Sequence, residues 1–241
     1  MGIEKPILFN SDMVRAILDD RKTATRRAIP ERILDKYYDY DEHCNCVIIQ
    51  DIPCTRIYEI EFFMNHARYQ PGDILYVRET WAFATCINCN GNYRRKGAPV
   101  NCYDYQAVEY DDGDSISDGC FIYRADFENQ ERIIWRPSIH MPKQVARIWL
   151  KVTDVRVERL QEITECQIIA EGTPYDQEEY DQLKRGEMVV HRAETYLRGC
   201  FMDLWNATIK KADADRYGWS ANPWVWVTEF ERCEKPEEGR A

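Results

Sequence analysis

Four cations and two hydroxyls fall within seven residues at Arg21-Lys22-Thr23-Ala24-Thr25-Arg26-Arg27. A stretch of this composition can hold an anion or a nucleobase, since the planar fork of an arginine donates to a phosphate or to a base carbonyl. Cations just past a helix also answer the negative end of its dipole, so the cluster has a purely structural role open to it. Other residues able to do chemistry lie further along. Glu79 shares an alternating face with Leu75, Val77 and Trp81. A carboxylate there either emerges into solvent or sits in a pocket with a raised pKa or a cation partner, and the pocket is the favoured reading. Cys86 and Cys89 have the spacing of a zinc half-site, which Cys102 with Cys120, or Cys44 with Cys46, would complete as a structural site. Trp81 and Trp135 are candidates for stacking on an unpaired base, with core or loop packing as the alternative for each. His140 lies in the proline-bounded run Trp135 to Pro142, where it either contacts a base or ties down its own loop.

The elements that must position these residues follow from pattern. Ser11 as N-cap, Asp12 in the first turn, and Met13, Ala16, Ile17 and Asp20 at helical spacing predict a helix that gives out into the basic stretch, which reads as a loop. Residues 28 to 70 are polar and aromatic with little period, with Val47-Ile48-Ile49 as a short edge strand. Pro71-Gly72-Asp73 signals a turn, and Ile74 to Trp81 alternates as a strand. Residues 82 to 120 read as an insertion. Phe121 to Asp126 resumes extended structure, and Arg147 to Arg159 is a long strand. Its apolar parity shifts by one near Thr153-Asp154, as a bulge in a curving sheet would require.

Thr164 and Gln167 form a capping box, with Ile163 and Ile168 as a hydrophobic staple, and Gly172 with Pro174 ends that helix. Glu171 therefore sits at the last turn, where it opposes the helix dipole. Residues 176 to 186 read as a charged helix or lid, Ala193 to Lys210 as an amphipathic helix, and Trp224 to Phe230 as a final strand. The tail from Glu234 to Ala241 reads as disordered. Strands that bracket segregated helices predict an α+β architecture with a compact barrel.

At 241 residues the chain is long enough for one large domain or two small ones, and 44% apolar content can fill a core. No run of about 18 apolar residues and no signal-like N-terminus is present, so a cytoplasmic protein with reduced thiols is expected, without membrane association. The net charge of −10 argues against indiscriminate coating of nucleic acid and favours a small or local target.

Taken together, Pro6-Ile7-Leu8-Phe9 with Met13 to Arg27, Pro71 to Trp81, Trp135 to Pro142, Val152 to Gly172 and Asn222 to Phe230 resemble the ASCH domain proteins of the PUA-like superfamily. The longer versions carried by bacteriophages and prophages are the nearest in form. The resemblance implies one domain over residues 1–233, a small curved β-barrel with flanking helices, and insertions at about 31–65, 82–120 and 175–195. It implies a cleft for RNA, modified bases or nucleotides, in the host cytoplasm if the protein is phage-encoded. One bacterial branch of the family removes the acetyl group from acetylated cytidine, using a Lys-Thr-x-Thr segment that here reads Lys22-Thr23-Ala24-Thr25, and a Glu whose place is taken by Glu171.

By that resemblance Thr25 is the nucleophile or orients a water, Lys22 deprotonates it, and Glu171 shuttles the proton. Arg26 holds a phosphate or base carbonyl, and Arg78, Glu79, Trp81, Trp135 and His140 are the further base-contacting candidates. The partner is then a modified nucleoside or a short single strand. No cofactor is required, and the cysteines leave a structural zinc open. A phage protein that binds RNA or modified DNA without chemistry, and a ribonuclease, are the alternatives.

Overall fold

The computed structural model describes residues 3–41, 54–84, 120–127, 133–185 and 193–236. In chain order the elements are β1 (Glu4–Leu8), α1 (Ser11–Leu18), β2 (Ala24–Ala28), α2 (Glu31–Asp41), α3 (Cys54–Asn65), β3 (Ile74–Arg78), β4 (Trp81–Ala84) and β5 (Cys120–Tyr123). They continue with β6 (Trp149–Arg159), α4 (Glu165–Ala170), α5 (Gln177–Arg185), α6 (Ala193–Thr208), α7 (Ala214–Tyr217) and β7 (Trp224–Cys233). Strands β1, β3, β6, β7 and β2 form, in that order, a mixed five-stranded sheet, and β4 pairs with β5. Helices and a mixed sheet are compatible with the expected α+β class. The expected barrel is a different matter, because among the described residues the strand order runs from β1 to β2 without closing. Closure requires the end strands to pair, and these two are five residues each.

The chain divides into two units, one made of Met1–Asp19, Gly72–Lys151 and Glu231–Ala241, the other of Asp20–Pro71 and Val152–Phe230. In the first, β1 runs parallel to β3, and β3 runs antiparallel to the start of β6 with Leu75 opposite Leu150. Leu75, Val77, Glu79 and Trp81 are all buried, so the alternation read from the sequence holds, although the strand breaks after Arg78 and restarts at Trp81. Trp81, Phe121, Tyr123, Met141, Val145 and Trp149 make a core cluster. Helix α1 is capped by Asn10, whose side chain accepts from Met13 N at 2.8 Å, one residue earlier than the expected Ser11. Arg15 then ties it down, donating to the carbonyls of Ala125 (2.8 Å) and Phe127 (3.1 Å).

In the second unit the basic stretch is not a loop beyond Thr23. Residues 24–28 form β2, antiparallel to β7 with Thr25 opposite Thr228 and Arg26 opposite Val227. Ala-Thr-Arg-Arg-Ala has little strand propensity of its own, and pairing with a β-rich partner decides its state. Helices α2 and α3 occupy much of the region that showed no period. Apolar residues crowd the end of α3 rather than lining one stripe, yet Phe63 is fully buried with Ile29, Ile33, Val157 and Trp224. The capping box of α4 is present, Gln167 Oε1 accepting from Thr164 N at 2.8 Å, and the staple residues Ile163 and Ile168 are both fully buried. Leu197, Phe201 and Trp205 of α6 join them with Val225 and Val227 of β7. Along β6 the buried positions Leu150 and Val152 give way to Val155 and Val157, the parity shift expected from sequence. The edge strand read at Val47-Ile48-Ile49, the bulk of the 82–120 insertion and the end of the tail lie outside the described residues.

Candidate active site

Helix α4 stops after six residues because Gly172 takes φ +70°, a left-handed turn that a glycine adopts without strain. That stop leaves Glu171 as the C-cap, and the chain there runs alongside the approach to β2. Thr23 N donates to Ala170 O at 2.8 Å, and Lys22 and Glu171 form an antiparallel bridge. Two residues far apart in sequence are thus fixed by main-chain pairing before their side chains meet.

The side chains do meet. Lys22 Nζ donates to Glu171 Oε2 (2.8 Å), to Glu171 O (2.7 Å) and to Ala24 O (2.8 Å). Arg26 Nη1 donates to the other carboxylate oxygen, Oε1, at 3.1 Å. Lys22, Arg26 and Glu171 are 3%, 4% and 6% exposed, so these charges interact in a medium far less screening than water. Burial pushes the Lys22 ammonium below the ordinary lysine range, Glu171 opposes that shift, and Arg27 and Arg26 reinforce it. Arg26 Nη2 reaches Glu158 Oε2 at 3.0 Å, and Glu158 in turn accepts from Arg156 and from Gln167. Arg156 also donates to Asp154 and Glu229, so the network extends from a buried lysine to half-exposed carboxylates. Arg26 Nε is buried and meets no acceptor.

Thr25 is 3% exposed, but strand alternation sends its side chain to the face of β2 opposite Arg26. No hydrogen bond joins it to Lys22 or Glu171 among the described residues. The arrangement therefore brings Lys22, Arg26 and Glu171 together and leaves Thr25 apart from them. Chemically it offers a direct proton path between Lys22 and Glu171 and one unoccupied, buried guanidinium donor.

The remaining candidates lie in the other unit. Glu79 is 1% exposed and both its oxygens are taken by Arg147, Nε to Oε1 at 2.9 Å and Nη2 to Oε2 at 3.0 Å. Burial pushes the Glu79 carboxyl up, against the pull of Arg147. Arg147 also binds Asp126 at 2.7 and 2.8 Å and lies over the Tyr123 ring. Trp81 is 3% exposed, packs on Phe121 at 5.7 Å and has Arg136 over its ring at 5.3 Å. Trp135 is half-buried between Phe127 and Arg124. Arg78 Nε donates to Met141 O at 2.8 Å, and His140 is exposed in a short turn closed by its amide on Pro137 O.

Sequence reasoning missed Arg147, Glu158 and Arg156 as partners. Arg156 and Glu158 alternate with Val155 and Val157, which marks their face as the opposite of the apolar one, but nothing in spacing links Arg147 to Glu79. Among the cysteines, Cys120 is fully buried beside Ala82 and Ile122 and packs as a small apolar side chain. Cys86, Cys89, Cys102, Cys44 and Cys46 lie outside the described residues, and no group of three or more metal-ligating side chains is gathered among the described ones. No helix among the described residues is long and apolar enough to cross a membrane. Compared with known proteins, the chain matches no family model, no curated protein and no solved structure.

Proposed function

We propose that the protein recognises a nucleobase and hydrolyses the exocyclic amide of an N-acylated cytidine-type nucleoside, within an ASCH domain of the PUA-like kind. The buried contact of Lys22 Nζ with Glu171 Oε2 at 2.8 Å carries this reading. Hydrolysis of such an amide needs a base to generate the nucleophile, a donor for the developing oxyanion and an acid for the departing amine. A neutral Lys22 takes a proton from the attacking water as its oxygen bonds to the acyl carbon. The proton crosses to Glu171, and Glu171 delivers it to the ring amine as the C–N bond breaks. The unoccupied Arg26 Nε supplies a donor for the acyl or base oxygen. Purified protein incubated with N4-acetylcytidine and followed by ultraviolet absorbance tests the proposal. Turnover lost in Lys22→Ala and in Glu171→Gln is the expected result, and no turnover by the wild type would sink it.

A second reading, binding without chemistry, draws on a different observation. Every proton of a Lys22 ammonium already has an acceptor, which suits a fixed counter-charge better than a base, while Arg26 keeps a donor for a ligand. Binding of short single strands that survives Lys22→Ala and is lost in Arg26→Ala, with no acyl release, would select it.

A further inference from the structure

The second unit contains a cavity of about 730 Å³ whose lining includes Asp20, Arg21, Thr23, Thr173, Pro174 and Tyr175. Lys22 and Glu171 are not part of that lining. Their chain neighbours Arg21, Thr23, Ala170 and Gly172 do line it. The cavity thus adjoins the ion-paired cluster without including its charged side chains. Its volume falls in the range of small-ligand sites, ~300–1,000 Å³.

Thr173 is 3% exposed, and its hydroxyl meets no hydrogen-bond partner. A buried hydroxyl without a partner works against folding, so its presence in a cavity wall calls for an acceptor or donor from outside the chain. Tyr175 is held edge-to-face by Tyr180, with centroids 5.3 Å apart and planes at 68°, and Pro174 offers a second flat apolar surface. Arg21 brings a positive charge and Asp20 a negative one. A wall of one cation and one carboxylate suits a ligand with a single phosphate and disfavours a polyphosphate or a long backbone.

We propose that this cavity is a second ligand site, for a nucleoside monophosphate. Its base lies against Tyr175 and Pro174, a carbonyl or ribose hydroxyl pairs with Thr173, and its phosphate meets Arg21. The choice of a nucleotide over another planar anion rests on the nucleobase reading above. Titration calorimetry with cytidine 5′-monophosphate and with cytidine tests it on the full chain. Saturable binding of the monophosphate is expected, weakened at least tenfold in Thr173→Val and retained in Thr173→Ser. Since the hydroxyl has no partner in the protein, the unfolding temperature of ligand-free Thr173→Val is expected to be unchanged or raised. Arg21→Ala removes the advantage of the monophosphate over cytidine. Absence of saturable binding, or a Thr173→Val protein that binds like the wild type, overturns the proposal, even where acyl release is observed. A protein that releases no acyl group but loses the monophosphate with Thr173→Val upholds this site and fails only the catalytic reading.

Discussion

Lys22 and Glu171 are joined twice, the ammonium donating to the carboxylate at 2.8 Å and to the main-chain carbonyl of the same residue at 2.7 Å. The side-chain contact can be lost by mutation while the main-chain bridge remains, so the two residues can be separated chemically without unpairing the strands.

Lys22→Met leaves Glu171 buried with Arg26 still in hydrogen-bonded contact with it. Breaking a buried pair by removing one partner costs about 3–5 kcal/mol, whereas replacing both with apolar groups is often near neutral. Arg26 moderates the loss here, and about 3 kcal/mol is expected for the single change. Lys22→Met with Glu171→Leu should cost less than the two single changes added together. Urea unfolding of the four proteins measures the coupling, and strict additivity would show that the pair does not act as a unit.

The pH dependence has a definite sign. Burial lowers the Lys22 pKa in the folded protein, so at pH values between that pKa and 10.5 the unfolded chain holds more protons than the native one. Unfolding free energy therefore rises with pH through that window relative to Lys22→Met, and below the folded pKa the full cost of the buried ammonium is present. Acyl release follows the same direction, because the neutral amine is the base, and its rate should climb with pH along a limb that Lys22→Ala abolishes. Stability measured by denaturant at a series of pH values, and initial rates over the same series, check both.

Much of this site could be read from the chain, and the part that could not has a physical reason. The capping box at Thr164 and Gln167 and the stop at Gly172 are local signals, so they placed Glu171 correctly at the end of α4. The basic stretch from Arg21 was legible as a cluster of cations but not as β2, because its strand state comes from pairing with β7, residues 225–229. Glu79 was legible as a buried carboxylate from the parity of Leu75, Val77 and Trp81. Its partner Arg147 was not, since contact across 68 residues leaves no periodicity to detect. Thr25 shows the limit of motif reading, for a spacing that matches in sequence puts its side chain on the strand face away from Arg26.

Thr25→Val keeps the shape of the side chain and removes the hydroxyl. With a water as nucleophile and Thr25 on the opposite strand face, acyl release should fall less than tenfold, against its loss in Lys22→Ala. A fall as deep as that of Lys22→Ala would assign the nucleophile to Thr25 and require the β2 region to rearrange when substrate binds.

Gly172→Ala tests how far the backbone sets the site. An L-residue at φ +70° costs roughly 1–2 kcal/mol, and the strain falls on the residue that follows Glu171. Gly172→Asn should cost less, because asparagine tolerates the left-handed region. Thermal unfolding should rank wild type above Asn and Asn above Ala, and an equal loss in the two variants would remove backbone conformation as the cause.

Arg147 offers the clearest stability test in the first unit. Its guanidinium is bidentate on Glu79 and also binds Asp126, and although burial alone would lower its pKa, those carboxylates raise it. Glu79 is 1% exposed, so Arg147→Met strands a carboxylate in the core and should cost about 3–5 kcal/mol at neutral pH. Arg147→Lys keeps the charge but not the fork, and should recover only part of that loss. The stranded carboxyl can escape by taking up a proton, so the deficit of Arg147→Met relative to wild type should shrink as pH falls toward 4.5, the ordinary glutamate value from which burial already raises it. Glu79→Gln in the Arg147→Met background removes the charge outright, and should restore stability at neutral pH while abolishing that pH dependence. Denaturant unfolding of these variants at pH 5 and pH 7.5 separates the outcomes. A deficit that is independent of pH would show that Arg147 acts there through packing on Tyr123 and not through its charge.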